Sequence, residues 1–251
     1  MKGRKRRGNS RYYLYFGLYL SAVLALGFGL WYAMRHLPFL EVKKIAISGN
    51  LAVPDSLITP FAEDQIGTNL FRVPTKDIAS EIKTLSRIRD VKVHRRLFST
   101  LRIHVTEREG IIYVKSREGV LYPIDGEATI MERYSPIYLE DIPIFSTYYN
   151  DSQLEYGSVL DKPEVFRILA LHQSIIREAP DYLPIVSEYY MIDNTINIID
   201  ARYGTRIIPG DDDIATQLRR YQFVQDNGNI DRRSVVDLRF DNQVVVKAGD
   251  K

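Results

Sequence analysis

The chain has 251 residues, 45% hydrophobic and 26% charged, with a formal net charge of +2 and no cysteine. That composition suits one large or two modest folded domains and argues against a disordered chain. Without cysteine, disulfide frameworks, zinc-thiolate sites and cysteine nucleophiles are excluded.

The opening stretch MKGRKRRGNSR carries Lys2, Arg4, Lys5, Arg6, Arg7 and Arg11 and no acid, which leaves the remainder net acidic. A tail of this kind binds nucleic acid or anionic lipid, and the adjoining segment chooses between them. Residues 12–34 read YYLYFGLYLSAVLALGFGLWYAM without a charged side chain, between Arg11 and Arg35. As a helix they reach about 35 Å, enough to cross a hydrocarbon core of about 30 Å. Tyrosines crowd the start, and Trp31 and Tyr32 stand near the end, as in interfacial aromatic belts. A cleaved signal peptide is the rival reading, but its apolar region is shorter and WYAMRHLPF offers no A-x-A-like site. The expectation is a cytoplasmic basic tail over 1–11, an uncleaved transmembrane helix over 12–34 and a body across the membrane. The topogenic role accounts for the charge of the tail, so no nucleic-acid partner is expected.

EVKKIAISGN then alternates like a half-buried strand, with Val42, Ile45 and Ile47 apolar and Gly49-Asn50 ending it. Leu57, Ile58 and Phe61 suit a short helical turn whose regularity Pro60 limits. In PTKDIASEIKTL, Ile78, Ile82 and Leu85 fall on one helix face. IRDVKVHRRL and TLRIHVTER alternate strictly, with Val91 and Val93 in one and Leu101, Ile103 and Val105 in the other, and a short FST link makes them a hairpin. Strand, helix, helix, strand, strand in this compass is a compact α+β unit with helices on one sheet face.

Further on, EGVLYPIDGEATIM reads as two strands around Asp125-Gly126. DKPEVFRILALHQSIIREAP reads as a helix with Asp161 and Glu164 as a capping box, Pro163 in the first turn and Pro180 past the end. Strand-like MIDNTINIID and GTRIIPGD come next, then a helix presenting Ile214, Leu218 and Tyr221. In SVVDLRFDNQVVVK, Asp241-Asn242 suits a two-residue turn pairing residues 234–240 with 243–247. Only AGDK follows Lys247, so the last strand is expected to be a sheet edge with Val245 contributing an edge hydrogen bond. Such an edge is either protected by Lys247 and the charged tail or used by a partner strand.

No catalytic constellation emerges, so an enzyme is not expected, nor a cofactor, metal or small-molecule substrate. His36, His94, His104 and His172 form no ligand set. GDDDIATQ lacks the spacing and terminal Glu of a calcium loop and suits a helix N-terminus. Lys115-Ser116 lies in a hairpin-like VKSREGV with nothing to form an oxyanion pocket.

The compact unit resembles a POTRA domain. VKKIAISGN, GTNLF and VKVHRRLFSTLRIHVTER, behind a long apolar segment, together resemble the bacterial cell division family FtsQ/DivIB. Two departures stand out: Phe98 replaces a common hairpin proline, and Glu109-Gly110 replaces a common proline start. DIPIFS and the terminal DLRFDNQVVVK extend the likeness over most of the chain. The resemblance implies a transmembrane helix, a POTRA domain over 39–108 and a β-rich mixed domain with two helices over 109–251. It also implies a single-pass protein of the cytoplasmic membrane at the division septum. Such a protein is a non-enzymatic scaffold binding FtsB-like, FtsL-like and other divisome partners and supporting control of septal peptidoglycan synthesis. The runner-up is a POTRA-bearing docking component of transport or outer-membrane assembly, which ordinarily brings a β-barrel or several POTRA repeats. By the same resemblance the docking strand comprises Arg239, Phe240, Gln243, Val244, Val245, Val246 and Lys247, with Phe240 as its aromatic.

The charge asymmetry around residues 12–34 predicts that a reporter active only outside the cytoplasm works when fused after Lys251. Activity confined to a cytoplasmic reporter at the same position would reverse the orientation.

Overall fold

The computed structural model describes residues 10–36, 40–96, 99–134, 141–211, 213–228, 230–241 and 243–249. Residues 1–9 of the expected basic tail, Phe98 of the hairpin link and Asn242 of the terminal turn lie outside them. The first helix, α1, runs Ser10–His36, and its segment Tyr12–Tyr32 is long and apolar enough to cross a membrane. Its large apolar side chains from Tyr12 to Tyr32 are exposed, so no protein core among the described residues covers them. Phe28 packs on Trp31 and Tyr32 at ring separations of 5.7 and 6.5 Å, which gathers aromatic bulk at one end of the span.

The chain divides into two units. The first holds α1 with residues 40–50, 55–82 and 91–105. The second holds 51–54 and 83–90 as well as the chain from Thr106 onward. β1 (Lys44–Ser48), β2 (Ile88–Arg96) and β3 (Thr100–Glu107), the last two lying mainly in the first unit, form a sheet of order β1-β3-β2. β1 lies parallel to β3, with Ile45 opposite Leu101 and Ile47 opposite Ile103. Leu101, Ile103 and Val105 alternate inward and are fully buried because β3 is the central strand. Ile45 and Ile47, on edge strand β1, are only half-buried, as is Val93 on β2.

Pro60 splits the first helical region into α2 (Asp55–Ile58) and α3 (Pro60–Glu63), since proline is accommodated in a first turn but not mid-helix. Ile58 and Ala62 are the buried residues there, while Leu57 is exposed and Phe61 half-buried. α4 (Thr75–Ile82) buries Ile78 and Ile82. It stops before Leu85, which is half-buried outside the helix, so the expected third position of the stripe is not helical. Gly49 follows β1 at φ +89°, and a Cβ there would collide with the Val105 carbonyl, so glycine is required twice over.

In the second unit eight strands form a mixed sheet, ordered β11-β10-β9-β8-β7-β6-β4-β5. They are β4 (Ile112–Lys115), β5 (Leu121–Ile124), β6 (Ile144–Ser146), β7 (Val186–Ile192), β8 (Thr195–Asp200), β9 (Arg206–Ile208), β10 (Val235–Asp237) and β11 (Val245–Lys247). β7 and β8 make a tight hairpin through Asp193 and Asn194, both at positive φ (46° and 64°), the conformation a two-residue primed turn demands. Short polar Asp and Asn tolerate that region better than branched residues.

α5 (Pro163–Glu178) and α6 (Ile214–Asn227) contribute Val165, Ile168, Leu169, Ile175, Ile214, Leu218 and Tyr221 to one core. Asp161 does not cap α5. The N-cap is Lys162, and Glu164 instead accepts a hydrogen bond from the Tyr149 hydroxyl, so the expected capping box is not formed. For α6 the acidic run acts through Asp213, whose carboxylate accepts from the Thr216 amide at 2.9 Å. His172 sits in this core with Nδ1 2.9 Å from the Tyr189 hydroxyl and the two rings edge-on. Burial pulls its pKa from an ordinary 6.5 down to about 4.

One substitution probes each core. Ile82→Ala should lower unfolding free energy by about 2–5 kcal/mol, since its side chain is wholly enclosed; an unchanged denaturant midpoint would mean the site collapses at no cost. For His172 the unfolded chain takes up the proton first, so its contribution is fully present above about pH 6.5 and is lost as pH falls toward 4. His172→Gln should flatten the pH dependence of the denaturant midpoint across that window, and an unaltered slope would assign the dependence elsewhere.

Candidate partner-binding edge

Because residues opposite each other in a ladder share a face, the register defines a row of side chains across the second sheet. It runs Val114, Phe145, Tyr189, Ile198, Ile207, Val236 and Val246, one residue per strand from β4 to β11. From Val114 to Val236 every member is buried; Val246, the last, is 42% exposed. The apolar row thus ends uncovered at the β11 edge, where no further strand pairs among the described residues.

The backbone of that edge can be followed from its neighbours. Arg206 N donates to Ser234 O, and Leu238 N to Ile208 O, both at 2.9 Å, so Ser234 and Leu238 turn toward β9. Alternation puts Val236 on that same side and leaves Val235 and Asp237 to bond β11 through their partners Lys247 and Val245. Val246 therefore directs its N–H and C=O outward. This corrects the expectation for Val245, whose backbone serves the ladder to β10.

Gln243 N reaches Phe240 O at 3.4 Å, across the expected turn, but the ladder before it is offset by one residue from the one the sequence suggests. A two-residue turn at 241–242 would set Asp237 opposite Val246, whereas Asp237 faces Val245 and only 235–237 and 245–247 are paired. Beyond the ladder the chain is held by local contacts. The Arg239 guanidinium reaches back to Asp237 with contacts of 2.9 and 2.6 Å, and Gly210 lies so close that a Cβ would meet Arg239 Cα at 2.9 Å. Asp237 is buried, and the hydrogen bond from Arg239 holds its carboxyl below the usual carboxylate range.

Phe240, 47% exposed, has its carbonyl held by the Arg220 guanidinium of α6 at 3.2 Å. Gln243 and Lys247 are exposed, Val244 packs partly against the core, and Val245 is half-buried. The expected residues thus gather at one sheet end, with Arg239 partly committed to Asp237. Sequence reading omitted Phe223, 69% exposed on α6. It stands off the Ile214, Leu218, Tyr221 stripe, and a large aromatic on a polar helix face is a legible sign of contact.

Among the described residues no group of three or more His, Cys, Asp or Glu side chains is placed to hold a metal. His94 and His104 are exposed on the first sheet, the latter 3.2 Å from Ser48 Oγ. A cavity of about 230 Å³ beside α6 contains Asp200, whose carboxylate is taken by the Tyr221 hydroxyl at 2.6 Å and by the Arg202 and Tyr203 amides.

Residues 40–108 match the family model described as POTRA domain, FtsQ-type. The cell division protein DivIB of Clostridium botulinum is 32% identical over 79 residues, covering 32% of this chain and 31% of its own. The cell division protein FtsQ of Mycolicibacterium smegmatis is 29% identical over 93 residues, 37% of this chain and 27% of its own. That of Corynebacterium glutamicum is 29% identical over 99 residues, 39% and 43% respectively. The matched part therefore spans less than half the length of these relatives.

Proposed function

We propose that this chain, placed with the FtsQ/DivIB cell division proteins by its FtsQ-type POTRA domain, is a non-enzymatic scaffold of the division machinery. In this reading α1 anchors it in the cytoplasmic membrane, the basic tail stays inside, and both folded units work on the outer side at the septum. Its task is to gather FtsB-like and FtsL-like membrane partners and so to support control of septal peptidoglycan synthesis. The observation that carries the reading is the open β11 edge, where outward backbone groups and the apolar row end together at Val246.

Edge backbone groups supply affinity to an added strand without turnover, and flanking side chains supply selectivity. A partner strand laid along β11 would bond Val246, cover its side chain and extend the row by one residue. Phe240, whose carbonyl is held by Arg220 of α6, and Phe223, on the same helix as Arg220, add exposed aromatic surface, the residue type that dominates interface energies. A tether a few residues long raises the effective concentration of partners anchored in the same membrane.

Val246→Pro removes the outward donor while sparing the Val245 and Lys247 bonds to β10, so capture of an FtsB-like segment should be lost with the thermal midpoint nearly kept. Phe240→Ala should weaken capture by about 2 kcal/mol. Val245→Pro is the folding control, since it breaks the β10–β11 ladder itself. If Val246→Pro and Phe240→Ala both remain folded and bind at unchanged affinity, the terminal edge is not the docking site.

A further inference from the structure

We infer that the open face of the three-stranded sheet in the first unit docks on anionic lipid headgroups of the bilayer that α1 spans; the inference rests on reading α1 as a membrane anchor. Leu101, Ile103 and Val105 are buried, so their neighbours on β3, Arg102 and His104, point the other way and are exposed. The parallel register sets Lys44 opposite Thr100, Ala46 opposite Arg102 and Ser48 opposite His104, which brings Lys44 onto the same face. On β2, past buried Val91, the alternating residues Lys92, His94 and Arg96 are exposed. The face thus carries four permanent cations, Lys44, Lys92, Arg96 and Arg102, and two histidines.

Carboxylates are missing from the alternating positions at 44–48, 92–96 and 100–106 that make up this face. Asp90, the acid nearest along β2, is paired with Lys83 at 2.9 Å. Glu107, next along β3, accepts the amides of Leu51, Ala52 and Val53 at 2.8–2.9 Å. A merely solvated sheet face mixes both signs, whereas one sign alone produces a field with a target.

Geometry selects lipid over other polyanions. The Ser99 carbonyl accepts from Lys43 N at 2.8 Å and Lys44 N at 3.1 Å, so the start of β1, the end of β2 and the start of β3 share one end of the sheet. That end is joined to α1 through residues 37–43, which reach at most about 30 Å even fully extended. Headgroups are the polyanion that such a tether cannot leave. Each Lys or Arg brought to an anionic surface contributes about a fivefold factor in association, and the effect decays within about 10 Å at ordinary ionic strength.

The absence of cysteine allows a single label to be placed by one substitution. Full-length chain carrying Ala46→Cys, on the cationic face, or Ser80→Cys, on α4, would be labelled with a fluorophore. It would be reconstituted into nanodiscs of phosphatidylcholine with or without phosphatidylglycerol, each holding a headgroup-nitroxide lipid. With phosphatidylglycerol present, quenching at position 46 should exceed that at position 80 by at least about threefold. The excess should vanish in high salt and when Lys44, Lys92, Arg96 and Arg102 are all changed to Gln; the salt arm stands even if that variant misfolds. Equal quenching at the two positions, or quenching at 46 indifferent to phosphatidylglycerol, overturns the inference. So does a salt-sensitive response at 46 to soluble polyglutamate alone, which would assign the face to an acidic protein. A chain that stays out of the discs defeats the anchor reading, and with it this one.

Discussion

A β-sheet that does not close on itself must leave two outer rows of backbone donors and acceptors, and the second unit handles its two rows differently. At one end β5 is followed by a return of the chain that bridges Ile124 to Ile130, held by the Asp125 carboxylate, which accepts the Glu127 and Thr129 amides and a 2.6 Å contact from Arg108. At the other end β11 has no such cover among the described residues. The asymmetry organises everything built on this sheet. One margin is closed by polar contacts, while the other leaves both hydrogen-bonding groups and apolar surface available.

The helices brace the chain that leads into that open margin. α5 and α6 fill one sheet face with a continuous core, and α6 also fixes the loop beyond β10 through Arg220 and the Phe240 carbonyl. Gln217, buried on the same helix, accepts from the Gly210 amide at 2.7 Å, which secures the segment against which Arg239 lies. In the proposed docking role, such bracing limits the binding energy that a partner must spend on ordering the approach to β11.

Much of this was legible in the sequence where period alone decides. The alternation of Leu101, Ile103 and Val105 and the helical spacing of Ile78 and Ile82 translate directly into burial. The resemblance over residues 40–108 was carried by those same patterned strands. The features that were not legible are set by contacts between residues far apart in the chain. β10 and β11 pair Asp237 with Val245, and Gly210 packs against Arg239 just beyond, a contact that no turn rule for 241–242 includes. Glu164 was lost to the α5 cap because Tyr149 competes for its carboxylate. Which residue of β11 opens outward, Val245 or Val246, is decided by hydrogen bonds between β9 and β10, and no local pattern around 245 encodes it.

β11 is held by three residue pairs, against six for the β7–β8 hairpin. Short edge ladders fray first, and their opening free energy lies well below that of global unfolding. An added strand would therefore act on two equilibria at once, joining the sheet and suppressing the fraying of the strand it joins. Part of its intrinsic affinity is spent closing that edge, so any change that prolongs the closed state of β11 tightens association without touching the interface. Under the proposed docking role, the length of one three-residue ladder would thereby set how long an assembly at this edge persists.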